Sequence, residues 1–335
     1  MIKNAIETIV RGNNLSMDEM IEVMNEIMTG AATQAQIGSF ITGLRMKGET
    51  VEEITGAVTV MRQKATRIHA QGDVVDTCGT GGDGLHTFNI STISALVAAG
   101  CGVKVAKHGN RSVSSKCGSA DLLMGLGVNI EATPETVERC IEEIGIGFLF
   151  APMLHPAMKH AIGPRREIGI RTIFNILGPM TNPAGAKFQL IGVYDPDMTE
   201  SMANVLKNLG SVHAFVVHGE EGLDEISISG KTKITELRNK KISTYFISPE
   251  NFGLKKGIME EIRGGSIDEN VELALDVLSG KEQGTRKNIV LLNAAFVLQA
   301  AGVTEDITEA INLSAQSIDS GAAMEKLERL REMSK

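Results

Sequence analysis

Polar start signals followed by apolar residues at helical spacing mark the first 65 positions. Ser16-x-x-Glu19, Thr33-x-x-Gln36 and Thr50-x-x-Glu53 each fit a capping box, where hydroxyl and Glu/Gln side chains satisfy each other's backbone N–H groups. Behind them come Met20, Ile21, Met24 and Ile27, then Ile37, Phe40, Ile41 and Leu44, then Ile54, Val58 and Met61. Each set lines one face of a helix. Gly30 and Gly48 are placed to stop the first two helices. The Met-rich stripe reads as core or interface.

The pattern changes from residue 72. Short β-branched runs, among them Val74-Val75, Val103-Lys104-Val105 and Phe215-Val216-Val217, alternate with helical stretches at 91–100, 134–144 and 199–209. That alternation predicts an α/β domain with a mostly parallel central sheet and flanking helices, beside a smaller all-helical domain. Residues 163–184, dense in Gly, Pro, Asn and Arg, read as a crossing segment between the two parts. Further helices are expected near 286–300 and 305–333, around a polar hairpin at 230–250.

Composition narrows the partners. The 335 residues carry 33 basic and 41 acidic side chains, a net charge of −8. A surface that negative is a poor general partner for nucleic acid or an anionic membrane. No apolar run approaches the roughly 20 residues that span a bilayer, and Met1 to Gly12, which includes Glu7, lacks the apolar core of a signal peptide. Cys78, Cys101, Cys117 and Cys140 form no C-x-x-C pair, which suits reduced thiols in the cytoplasm.

Two loops carry candidate chemistry. Asp76-Thr77-Cys78-Gly79-Thr80-Gly81-Gly82-Asp83-Gly84 lies between a strand and a helix starting near Asn89. Clustered glycines can turn backbone N–H groups toward an anion, with a helix N-terminus behind them. Asn89, Ser91 and Thr92 at that helix start can add side-chain donors, although the segment equally fits a tight capped turn. Gly79-x-Gly81-x-x-Gly84 satisfies the dinucleotide fingerprint formally, but the next strand ends in Lys107 where an acidic residue should hold a ribose. Leu85-His86 stands where a P-loop needs Lys-Ser/Thr. The second loop, Lys107 to Ser119, packs three cations, four serines and an Asn into thirteen residues. Together the loops point to a polyphosphate ligand.

Such ligands bring Mg²⁺, which takes only one or two carboxylates from a protein. Asp224-Glu225, after the strand ending at Val217, can face the same sheet edge, and also fits an acidic surface turn. Arg165, Arg166 and Arg171 offer guanidinium groups suited to a planar carboxylate, in a segment otherwise explained as a structural hinge.

Four ordered blocks, DTCGTGGDG with TFNIST (76–92), KVAKHGNRSVSSKCGSADLL (104–123), GPRREIGIRTIFNILGPMTNPA (163–184) and VHGEEGLDEIS (217–227), resemble the anthranilate phosphoribosyltransferases of tryptophan biosynthesis. The resemblance covers nearly the whole chain. It implies a fold of the nucleoside phosphorylase/phosphoribosyltransferase kind, with a helical domain of residues 1–68 joined by 163–186, and an α/β domain of 72–162 and 187–335. It also implies a homodimer joined through the helical parts.

The same resemblance implies that Gly79, Gly82, Asp83, Thr87, Asn89, Ser91, Thr92 and Ser119 hold the donor PRPP, with Lys107, His108, Gly109, Asn110, Arg111, Ser112, Val113, Ser114 and Ser115 of the second loop. Gly79, His108, Asn110 and Arg165 would hold anthranilate, and Ser91, Asp224 and Glu225 would serve two Mg²⁺ ions. No residue is assigned as acid or base, because a neutral aromatic amine needs no strong base before attack. Cys78 takes no role. Two other readings share the scaffold. Thymidine phosphorylases have a similar phosphate loop but lack the KHGNR and GPRRE blocks, and a non-catalytic nucleic-acid binder would need a basic face.

Overall fold

The computed structural model describes residues 1–112 and 116–335. Helices α1 (Ile2–Val10), α2 (Met17–Met28), α3 (Gln34–Lys47) and α4 (Val51–Lys64) open the chain. All three expected capping boxes form, at Ser16/Glu19, Thr33/Gln36 and Thr50/Glu53. Gly48 caps α3 with a φ of 89°, a conformation that costs glycine little. Met20, Met24, Ile27, Phe40, Ile41, Leu44 and Val58 are fully buried in the resulting core.

One seven-stranded sheet follows, in the order β3-β2-β1-β4-β5-β6-β7. Its strands are β1 (Val75–Gly79), β2 (Val105–Gly109), β3 (Ile146–Phe150), β4 (Phe188–Gly192), β5 (His213–Gly219), β6 (Thr232–Arg238) and β7 (Lys241–Ile247). The first five run parallel, and β5-β6-β7 form an antiparallel meander whose β6–β7 hairpin is the expected polar stretch. Strand order reverses beside β1, so β1 and β4 flank the switch point where ligands sit in open parallel sheets.

Helices α5 (Ile90–Gly100), α6 (Ser119–Gly125), α7 (Pro134–Glu143) and α8 (Ala151–Leu154) occupy the first half of this domain. The stretch near residues 163–184 holds α9 (Lys159–Ile168) and α10 (Phe174–Leu177), and α11 (Met198–Asn208) follows. The C-terminal part is α12 (Ile267–Leu278), α13 (Thr285–Ala300), α14 (Ile307–Asp319) and α15 (Ala322–Met333). α13 is buried on nearly every face and packs against α5, which is also buried nearly all round.

Four expectations shift. Strands β1 and β2 run on into the motifs, so Asp76, Thr77, Lys107 and His108 are strand residues and not loop residues. Their polar side chains hide a strand from an apolar-periodicity reading. The block at Gly163 starts inside α9, which runs through Pro164 and stops at Gly169 with a φ of 69°. The helix expected over 305–333 breaks at Gly321, whose φ is 81°. α12 is an element the sequence reading omits, although Ser266-x-x-Glu269 is a readable capping box.

The core falls into three apolar clusters, and the one that holds α1–α4 also takes in Met202 of α11, Ile191 of β4 and Val216 of β5. α9 packs on α2 and α3, and Ala161, Ile173, Phe174 and Met180 join α1–α4 in one apolar cluster. A second, larger cluster lies on the α5–α13 side of the sheet.

Candidate active site

Strand β1 ends at Gly79, and its loop is fixed by other parts of the chain. Thr80 N donates to Gly192 O at the end of β4 (2.9 Å), and Gly81 N donates to Asp224 Oδ2 (2.7 Å). Gly81, Gly82 and Gly84 all have positive φ, a conformation that curls the loop backbone and that glycine adopts without a side-chain penalty. The Gly79 and Gly192 positions exclude any Cβ. One at Gly79 would collide with Asp224 Oδ2, and one at Gly192 with the Asp224 carbonyl oxygen. The loop after β5 is thus laid directly across the ends of β1 and β4.

That loop carries the acidic pair. Asp224 and Glu225 are buried, which excludes the surface-turn reading. Glu225 Oε1 accepts from Ser91 N at the start of α5 (3.2 Å), and Asn293 of α13 grips the adjoining Ile226 backbone through both N–H and C=O (3.0 Å each). Burial and the neighbouring Asp83 charge push Asp224 up to about 7. Burial and the Asp224 charge push Glu225 up to about 8. Three carboxylates oppose one another's ionisation here with Lys107 the one cation that offsets Glu225, and a divalent cation would supply the remaining counter-charge. Among the described residues no group of three His, Cys, Asp or Glu has the geometry to enclose a metal alone.

Several polar atoms at this edge wait for partners. Thr77 Oγ1, Thr80 Oγ1, Asn89 Oδ1 and Thr92 Oγ1 are buried without a hydrogen bond among the described residues. Buried polar groups are seldom left so, and their clustering marks a ligand or ordered-water position. Asn89 Nδ2 donates to Cys117 O (3.1 Å), which ties the α5 start to the second loop. Thr87 pairs with Arg263 in an isolated bridge.

Strand β2 carries Lys107 and His108, both buried. Lys107 Nζ donates to Thr77 O (2.6 Å), so the ammonium sits under the end of β1. His108 N donates to Asp76 Oδ1 (3.1 Å), while Asn182 Nδ2 donates to Asp76 Oδ2 and to Ala106 O (2.8 Å each). His108 Nε2 lies 3.2 Å from His155 Nε2. Burial lowers the two imidazoles, His108 to about 3 and His155 to about 4, so both are neutral at physiological pH. His155, Asp76 and Asn182 are not legible as site residues in the sequence; the Asn182–Asp76 link joins positions 106 apart.

The second loop is closed by Asp121, another residue the sequence reading leaves without a role. Its carboxylate accepts from Ser112 N (3.1 Å) and Gly118 N (2.9 Å), and pairs with Arg111 Nη1 (3.3 Å). Gly109 abuts Ser119 Oγ and the Phe148 ring, and Ser119 Oγ donates to Asn110 O (3.3 Å). Val113, Ser114 and Ser115 lie outside the described residues.

Arg165 stands on α9 with its guanidinium 5.2 Å from the Phe174 ring centroid. It has no carboxylate partner among the described residues, and burial lowers its pKa. A desolvated, unpaired guanidinium stacked on a ring is suited to an aromatic carboxylate. Arg171 instead donates to Gly82 O and stacks over Tyr194. Cys78 is half-buried, and its desolvation together with the nearby Asp76 carboxylate pushes the thiol up and makes it a poor nucleophile.

A glycine cradle, buried acids and a buried lysine at a sheet switch point suit a phosphorylated ligand, and the family models give the class as a glycosyl transferase. Residues 3–65 match the model "Glycosyl transferase family, helical bundle domain", and residues 71–324 match "Glycosyl transferase family, a/b domain". The anthranilate phosphoribosyltransferase of Geobacter sp. (strain M21) is 55% identical, with 98% of each chain covered. The crystal structure of the Thermus thermophilus enzyme is similar at a TM-score of 0.94 and 41% identity, covering 98% of this chain and 99% of that one. The Saccharomyces cerevisiae enzyme in complex with PRPP and Mg has a TM-score of 0.91 at 28% identity, covering 99% and 97%. The chain belongs to the anthranilate phosphoribosyltransferase family.

Proposed function

We infer that this chain transfers the phosphoribosyl group of PRPP to the amine of anthranilate in tryptophan biosynthesis, releasing pyrophosphate and giving N-(5-phosphoribosyl)anthranilate. The observation that carries it is the convergence, at one sheet edge, of the Gly79–Gly84 cradle with the buried Asp224-Glu225 pair. Donor binding is assigned to Gly79, Gly82, Asp83, Thr87, Asn89, Ser91, Thr92 and Lys107, with the following loop from His108 through Ser119. The buried, unpartnered Asn89 Oδ1 and Thr92 Oγ1 support this. The acceptor falls to Gly79, His108, Asn110 and Arg165, with Arg165 facing its carboxylate.

Ser91, Asp224 and Glu225 are the residues that would hold Mg²⁺, as two ions. When bound, the metal supplies positive charge that stabilises the departing pyrophosphate. The protein's own groups bind and orient. Backbone N–H groups of the cradle and Lys107 meet phosphate charge that grows as the anomeric bond lengthens. Neutral His108 and His155 form a dry wall that does not protonate the attacking amine. Residues 1–68 with 163–186 would form the helical domain, a reading supported by the packing of α9 on α2 and α3. Val10 and Met46, exposed on α1 and α3, support a homodimer joined through that domain. No helix among the described residues is long and apolar enough to cross a membrane, and no disulfide joins the cysteines, which fits the cytoplasm.

The direct test mixes protein, PRPP, Mg²⁺ and anthranilate and follows anthranilate fluorescence with an EDTA control. Metal-dependent loss of signal is expected. A folded protein that leaves the signal unchanged overturns the reading. Phosphorolysis of thymidine without activity on PRPP would favour a nucleoside phosphorylase.

A further inference from the structure

Arg171 lies six positions beyond Arg165, past the Gly169 turn that ends α9, and its side chain reaches back to the phosphate loop. One guanidinium N–H donates to Gly82 O, and the guanidinium carbon sits 4.2 Å from the centroid of the Tyr194 ring. Tyr194 lies two residues beyond Gly192, whose carbonyl receives Thr80 N. The loop is thus pinned at three successive residues: Thr80 N by Gly192, Gly81 N by Asp224, and Gly82 O by Arg171. The N–H groups of Gly82, Asp83 and Gly84 have no acceptor among the described residues.

A planar trans peptide points its C=O and N–H in opposite directions. Drawing the Gly82 carbonyl toward Arg171 therefore turns the Asp83 N–H the other way. Gly82 has a φ of 78° and no side chain to resist rotation, so on this side of the peptide only the Arg171 contact fixes its direction, while Asp83 is held through Leu85 N. Released, it can flip and present a carbonyl oxygen to an anion, which is repulsive.

Resting on the PRPP-binding reading of this loop, we propose that Arg171 is its positioning residue. It holds the Gly82–Asp83 peptide so that an N–H, and not a carbonyl, is offered to the pyrophosphate of the donor. Its planar fork, stacked on Tyr194, fixes direction better than a flexible ammonium would. The role is indirect, since Arg171 acts through the Gly82 carbonyl.

The test compares Arg171→Ala, Arg171→Lys and Tyr194→Leu with the unaltered protein, by steady-state kinetics and by calorimetric titration with pyrophosphate and Mg²⁺. Arg171→Ala is expected to raise KM for PRPP and Kd for pyrophosphate about tenfold, the scale of one charge-assisted hydrogen bond. KM for anthranilate should stay within about twofold, because Arg165 is untouched. Arg171→Lys should recover part of the loss, and Tyr194→Leu should give a smaller shift of the same sign. A merely structural role would lower the active fraction without this split between the two KM values. Unchanged KM for PRPP, or equal rises for both substrates, overturns the proposal. If Arg171→Ala does not fold, the Lys and Tyr194 variants decide by the same criteria. Absence of turnover in the unaltered protein would sink the functional reading instead, and pyrophosphate titration would still judge the clamp.

Discussion

The two sides of the site are both buried, yet burial acts on them in opposite directions. On the donor side it raises Asp224 and Glu225 toward neutral pH, because acids resist charging away from water. On the acceptor side it lowers His108 and His155, because imidazoles resist charging in the same way. On the proposed assignment, the donor side therefore holds latent negative charge that a cation releases, while the acceptor side pairs two neutral imidazoles with the Arg165 cation. One low-dielectric edge thus suits a metal-bound polyphosphate and an uncharged aromatic amine together.

The comparison can be broken most sharply at the donor side. Asp224→Asn with Glu225→Gln is expected to lower turnover at limiting Mg²⁺ by at least about a thousandfold, the scale of a lost electrostatic centre. Unchanged turnover would remove the metal assignment. Next, Gly192→Ala should destabilise the fold by about 3 kcal/mol, since its methyl meets backbone and not a movable side chain. Thermal denaturation measures this, and a shift of the melting point within error would show that the loop can retreat. On the acceptor side, Arg165→Ala should raise KM for anthranilate about 10- to 100-fold while sparing KM for PRPP. Equal effects on both would place Arg165 outside the acceptor pocket.

The pH dependence of stability separates the sides without substrates. Folded-state acids with raised pKa bind more protons than the unfolded chain does, so their contribution to stability falls as pH rises from about 4 to 8. Folded-state imidazoles with lowered pKa bind fewer, so theirs is lost as pH falls from about 6.5 to 3. In metal-free buffer at about pH 8, the variant carrying both Asp224→Asn and Glu225→Gln should melt above the unaltered protein, and the two should converge near pH 4. A constant offset across that range would contradict the raised acids. The smallest effect belongs to neither side. Thr50→Ala removes the cap of α4 and should cost about 1 kcal/mol with both KM values unchanged.

Much of this is legible in residues that act on close neighbours. The capping boxes at Ser16, Thr33 and Thr50 form as the sequence predicts, because donor and acceptor are three residues apart. The glycine cradle, the α5 start at Asn89 and the polar hairpin are readable for the same reason. Ser266 carries an equally local signal for α12, which the apolar pattern alone does not single out. Strand ends are misplaced because Asp76, Thr77, Lys107 and His108 are polar but buried, and periodicity registers apolar residues.

By itself, then, the chain determined its helix starts, its loops and the chemical types gathered in each motif, since those depend on short-range hydrogen bonds and backbone freedom. Tertiary structure alone decided which groups meet. It set Asp224 against Gly79 and Gly81, Asn182 on Asp76, His155 beside His108 and Arg171 on Gly82. It also decided charge state. A carboxylate or imidazole is the same residue in any sequence, and only packing determines how much water reaches it.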